Sequence, residues 1–156
     1  MSGFFDQKIY RFAFNVGHTL HRLAYMLAFV DEHRVDQVVD RFGRLDVVVT
    51  AASWMGTSTT PGWNAPFENQ DVSLWPEVLS LGVTANFALV RRARTALSAN
   101  GCGSVVFISS LYGFCAPQPA MYVDTDVNNL AGYAVSKGAL TQLARWLSTT
   151  MAPEVR

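Results

Sequence analysis

The sequence predicts an α/β fold, a parallel sheet flanked by helices, and three observations lead there. Two short β-branched runs, LDVVVTAAS (45–53) and GSVVFIS (103–109), lack polar alternation, which is the pattern of strands covered on both faces. Each run is followed by a stretch with apolar residues at helical spacing, 72–99 and 131–151. Strand then helix, repeated, is the order that wraps helices around a parallel sheet.

Taken in chain order, Tyr10, Phe12, Phe14 and Val16 alternate with Arg11, Ala13 and Asn15, which predicts a strand. Leu20, Leu23, Leu27, Val30, Val35, Val38 and Phe42 recur at helical intervals and predict a helix over 18–42, stopped by Gly43. The run 45–53 is a buried strand. Gly, Pro, Thr and Asn make 54–70 a loop. Trp75, Val78, Leu79, Leu89, Val90 and Leu97 give 72–99 its apolar stripe, with Arg91, Arg92 and Arg94 in the second half, and Asn100-Gly101 ends it. The second buried strand, 103–109, leads into a long loop, 110–129. Asn128 or Asn129 then caps a final helix over 131–151, ahead of Pro153.

Composition narrows the function classes. The chain has 156 residues, half of them hydrophobic, 15% charged, with zero formal net charge. That length suits one domain, 1–156, and that balance excludes intrinsic disorder. It also gives no electrostatic attraction toward nucleic acid or an anionic membrane. The uncharged run 95–123 is broken by Gly101, Gly103, Gly113, Pro117 and Pro119, so no membrane span is expected. MSGFFDQKIYRF does not read as a signal peptide. Cys102 and Cys115 are expected to be reduced, buried thiols of a cytoplasmic protein. His18, His21 and His33 lack a supporting carboxylate pattern, and no metal is assigned.

The chemistry-bearing residues gather late in the chain. Tyr133 and Lys137 are four residues apart, so their side chains leave one helix face as neighbours. A lysine ammonium beside a phenol favours the phenolate, and a tyrosine so tuned can move protons near neutral pH. Ser109 and Ser110 end the second strand, and in parallel sheets ligands bind beyond the carboxyl ends of the strands. The same letters also suit a solvated surface pair and serines engaged in turn chemistry.

Four segments stand in a familiar order: FGRLDVVVTAAS (42–53), LWPEVLSLGVTANFALVRRA (74–93), GSVVFISSLYG (103–113) and GYAVSKGALTQLARWLS (132–148). Together they resemble the short-chain dehydrogenase/reductase family, NAD(P)-dependent oxidoreductases built on a Rossmann-type sheet. The resemblance implies a partial Rossmann-type parallel sheet flanked by helices, with 42–151 as the family-like core and 1–41 as a divergent segment. It implies hydride transfer between NAD or NADP and a carbonyl or alcohol substrate. Ser110 would orient the substrate oxygen. Tyr133 would act as acid/base, and Lys137 would lower its pKa and bind the nicotinamide ribose. Thr50, Ala51 and Ala52, followed by Ser53, stand where the family has Asn-Asn-Ala-Gly lining the adenosine side. The extra residues APQPAMYVDTDVNN resemble a substrate loop of members thought to act on sugars or polyols. Family members often pair subunits through helices matching 72–99 and 131–151, so a homo-oligomer is expected, with Trp146, Leu147 and Met151 available.

Departures are equally specific. Residues 1–41 carry no T-G-x-x-x-G-x-G, Gly3 and Gly17 being isolated, so the backbone approach to a pyrophosphate is missing there. Asp31 reads as a solvated helix residue. Gly82 occupies the position of the family's active-site asparagine, with Asn86 one turn later, and the chain stops at APEVR. A second expectation therefore stands beside the first: a truncated, catalytically inactive remnant, acting as an interaction module or representing a gene fragment.

Overall fold

Among the described residues, three short strands form one parallel sheet in the order β1 (Tyr25–Leu27), β2 (Val47–Thr50), β3 (Ser104–Phe107). The computed structural model describes residues 25–27, 33–56, 60–125, 128 and 130–156. Val47 of the central strand is opposite Tyr25 on one side and Ser104 on the other. Val48 and Thr50 are buried while Val47 and Val49 are partly covered, as befits a strand with both neighbours present.

Helix α1 (His33–Phe42) stops at Gly43, whose φ of +71° is the left-handed conformation that lets its N–H return to Val39 O at 2.7 Å. Just beyond, Asp46 is only 2% exposed, and the Arg44 guanidinium grips its carboxylate at 2.8 and 2.5 Å. A carboxylate this buried requires such a partner. Helix α2 (Trp75–Leu79), a π turn (Ser80–Thr84) and α3 (Ala85–Ser98) run on without a break, and α4 (Ala131–Met151) follows β3. The stretch Val72–Ser98 is long and apolar enough to cross a membrane by length and composition. Here Val78, Gly82, Asn86, Leu89, Val90, Ala93 and Leu97 turn inward, leaving Arg91, Arg92 and Arg94 exposed. The core joins Val35, Leu45, Val48, Leu89, Val90, Ala93, Leu97, Leu147, Met151 and Val155. It draws on α1, β2, α3, α4 and the last residues, which pair with β3: Val105 N–H donates to Arg156 O at 2.7 Å, and Arg156 N–H to Gly103 O at 2.9 Å.

Several expectations change. Tyr25–Leu27 is strand rather than part of a helix over 18–42, and α1 begins at His33. The segment satisfies backbone groups along an edge of β2 that a helix would leave open. The strand predicted at 10–16, with His18, His21 and Asp31, lies outside the described residues. β3 is less covered than predicted, with Val106 exposed, because α4 and the chain end cover only part of it. Cys102 and Cys115 are free, as expected, but exposed rather than buried. The cap of α4 also differs: its first residue is preceded by Leu130, which supplies no side-chain cap. Gln70 Oε1 instead accepts the Ala131 N–H at 3.2 Å, and Asn128 donates its own N–H to Asn64 Oδ1 at 2.5 Å. Asn129 lies outside the described residues.

Candidate active site

The site grows from the carboxyl edge of the sheet. Ile108 N–H donates to Thr50 O at 2.9 Å, so the ends of β2 and β3 stay in register to the rim. There α4 meets them. Lys137, 4% exposed, extends its ammonium to Ile108 O at 2.9 Å. Ser109 Oγ and Thr141 Oγ1 both approach Lys137 O, at 3.1 and 2.9 Å, and lie 3.0 Å from one another, so two hydroxyl protons serve three contacts. Gly113 is pressed into this knot: a Cβ there would lie 2.8 Å from Ser109 Oγ and 2.9 Å from Lys137 O. The close approach requires glycine.

Tyr133 stands one turn before Lys137, whose Nζ lies 5.7 Å from its ring centroid, within cation–π range. Ser136 Oγ donates to Tyr133 O at 2.8 Å. No hydrogen bond holds the Tyr133 phenol among the described residues. Burial pushes the Lys137 pKa below the ordinary lysine range, because the ammonium has lost water. The helical spacing thus juxtaposes the two side chains as the sequence predicted.

Ser110 is half-buried in extended backbone (φ −149°, ψ 159°) and caps the turn Leu111–Gly113, its Oγ accepting the Tyr112 N–H at 3.3 Å. Its side-chain hydrogen bond is therefore with the turn, and not with Tyr133 or Lys137. The hydroxyl proton stays available. Turn chemistry and a substrate-facing role are compatible in this residue, whereas Ser109 is committed to α4.

Along the end of β2, Thr50 is 2% exposed, Ala52 is buried and Ala51 is exposed. Thr50 Oγ1 and Ser53 Oγ are buried without a hydrogen-bond partner among the described residues. Unsatisfied buried hydroxyls cost on the order of 1–3 kcal/mol each, so they await a polar partner. A nucleotide ribose or base beside this strand end fits that need. The strand end therefore suits the nucleoside part of a dinucleotide, while no glycine-rich turn for its pyrophosphate is found in residues 1–41.

Gly82 packs where a Cβ would lie 3.1 Å from Ser136 Cβ. Asn86 does not turn toward the rim. Its Nδ2 donates to Gly82 O at 3.0 Å and Leu81 O at 3.2 Å, carbonyls released by the π turn. Its Oδ1 is buried and unpartnered among the described residues. Neither the bonds of Thr141 nor the phenol pair Tyr112–Tyr122 was expected, although SSLYG and APQPAMYVDTDVNN each carry one of the tyrosines.

A family model for the short chain dehydrogenase matches residues 30–156. The chain belongs to the short-chain dehydrogenase family. Among its relatives, tropinone reductase-like 3 of Erythroxylum coca is 32% identical over 122 residues, 78% of this chain and 40% of the relative. The 2-dehydro-3-deoxy-D-gluconate 5-dehydrogenase of Pseudoalteromonas atlantica is 30% identical over 127 residues, 81% of this chain and 41% of that one. An NAD+-bound xylitol dehydrogenase superposes with a TM-score of 0.65 at 25% identity, over 80% of this chain and 45% of that structure. The chain spans about two-fifths of the length of the curated relatives it matches.

Proposed function

We propose that this short-chain dehydrogenase chain carries the site of an NAD(P)-dependent oxidoreductase that interconverts a carbonyl and an alcohol, with a sugar or polyol as substrate. The observation that carries the reading is Lys137: a nearly buried ammonium lodged between Ile108 O and the Tyr133 ring at the strand ends. The bound nicotinamide would supply or take up the hydride. Tyr133 gives its phenolic proton to the carbonyl oxygen in reduction and accepts it back in oxidation. Lys137 stabilises the phenolate left behind. The free Ser110 proton donates to the same substrate oxygen and orients it. Tyr133 and Lys137 also offer hydrogen bonds to the nicotinamide ribose, and Thr50, Ala51 and Ala52 line the adenosine side.

Titrating NADH or NADPH while following nicotinamide fluorescence tests this reading, and absence of binding at millimolar cofactor would overturn it. General acid–base catalysis contributes roughly 10²–10⁴-fold. Tyr133→Phe is therefore expected to lower kcat by about that factor and to raise the cofactor Kd by no more than about tenfold, the worth of one hydrogen bond to the ribose.

A second reading, association through helices, is favoured by one observation. Phe87 and Trp146, 36% and 53% exposed, stack edge-to-face across α3 and α4 with centroids 6.3 Å apart. Exposed Val135 adds to the apolar surface of α4. We propose that this face joins copies of the chain.

A further inference from the structure

Between Ser110 and Tyr133 the chain carries two tyrosines that no step above employs. Tyr112 lies in the turn Leu111–Gly113, and its backbone N–H already holds Ser110 Oγ at 3.3 Å. Its phenol is hydrogen-bonded to the phenol of Tyr122, which closes the turn Pro119–Tyr122 in the inserted segment. Both rings are half-buried. The bond to Tyr122 foremost, then burial and the charges of the Tyr122 and Tyr133 phenolates, push the Tyr112 pKa up.

In a phenol pair one hydroxyl donates to the other. The acceptor's proton and the donor's remaining lone pairs are then uncommitted, and neither phenol has another hydrogen bond among the described residues. Half-exposed, with the Tyr112 backbone already on Ser110 Oγ, such a pair offers one donor and one acceptor side by side. That is the complement of an alcohol hydroxyl, itself both donor and acceptor. An apolar substituent pressed there would leave both groups unpaired, and sites built to hydrogen-bond a hydroxyl reject analogues that lack it.

We propose that Tyr112 and Tyr122 are specificity-determining residues, a phenol pair that receives a second hydroxyl of the substrate, adjacent to the carbon whose oxygen Ser110 and Tyr133 engage. The inference rests on the proposed function and narrows it to diols and polyols over isolated alcohols. Tyr122 brings the inserted segment into the site, so the insertion contributes a recognition group.

The test uses the whole chain with tyrosine labelled at Cζ, NADH present, and xylitol or cyclohexanol as the probe. Xylitol is expected to shift the Tyr112 and Tyr122 Cζ resonances saturably, and cyclohexanol to leave them unmoved. In Tyr122→Phe the xylitol Kd should rise at least tenfold, while the Kd values for cyclohexanol and NADH stay within twofold. If Tyr122→Phe does not fold, as judged by circular dichroism, Tyr112→Phe carries the same expectation. Parallel weakening of xylitol and cyclohexanol would make the pair a structural latch and overturn the inference. So would unchanged xylitol affinity, or no response to xylitol by protein that binds NADH, and these leave the nicotinamide reading standing. A chain that binds no NADH at millimolar concentration removes both.

Discussion

Lys137 concentrates the energetics of the site in one side chain. Its ammonium is nearly dry, and burial lowers its pKa below 10.5, the value of an unperturbed lysine. Between the folded and unfolded pKa values the unfolded chain holds more protons, so stability rises with pH across that window. Below the window both states are charged, and the cost of burying the ammonium is present in full. Comparing urea midpoints, wild type is expected to gain on Lys137→Met as pH climbs toward 10.5. Lys8 and Lys137 are the chain's two lysines, so lysine Cε resonances titrate as two curves. The one that titrates lower should vanish in Lys137→Arg; two curves at the ordinary lysine value would contradict the burial. At this scale the pair Tyr133–Lys137 was legible in the sequence, because one helical turn brings the two residues together whatever the rest of the chain does. The committed role of Ser109 was not legible, since its partners Lys137 and Thr141 lie 28 and 32 residues away.

Two glycine contacts set how the elements meet. At Gly113 the turn Leu111–Gly113 presses on α4, and a Cβ would intrude on Ser109 Oγ and Lys137 O. Overpacking of this kind costs about 1–3 kcal/mol. Gly113→Ala is expected to lower the urea midpoint accordingly and to reduce turnover, because the same shift disturbs Lys137. A stability unchanged from wild type would show that the knot relaxes freely. At Gly82 the π turn meets Ser136, and Gly82→Asn is expected to destabilise by a similar 1–3 kcal/mol. Retained stability with increased turnover would count against this packing. The long helix was legible as one apolar stripe from 72 to 99. Its π turn was not, since periodicity averages over one extra residue and only contact with α4 shows where that residue sits. The strand Tyr25–Leu27 escaped notice for a related reason: Leu23 and Leu27 suit a helix locally, and pairing with β2 decides otherwise.

At the scale of the molecule, one core gathers residues from both ends of the described chain, from Val35 to Val155. Leu97, fully buried, stands at its heart. Leu97→Ala is expected to cost about 2–5 kcal/mol in chemical denaturation, the range for large-to-small core changes. Outside that core, Phe87 and Trp146 keep large apolar area in water. If this face joins copies of the chain, Trp146→Arg should reduce the mass found by light scattering to that of a monomer and leave NADH affinity unchanged. A wild-type monomer would rule out the helical face as an interface.

The sequence by itself determined the strand-helix alternation, the Gly43 and Gly101 stops and the neighbouring of Tyr133 and Lys137, because each depends on local backbone geometry. The tertiary structure alone decided which serine α4 claims, how Gln70 caps that helix and how Tyr122 reaches Tyr112. These depend on residues 10, 28 and 61 positions apart, beyond the reach of one helical turn or strand. Their meeting is set by the packing of the elements, which no local pattern encodes.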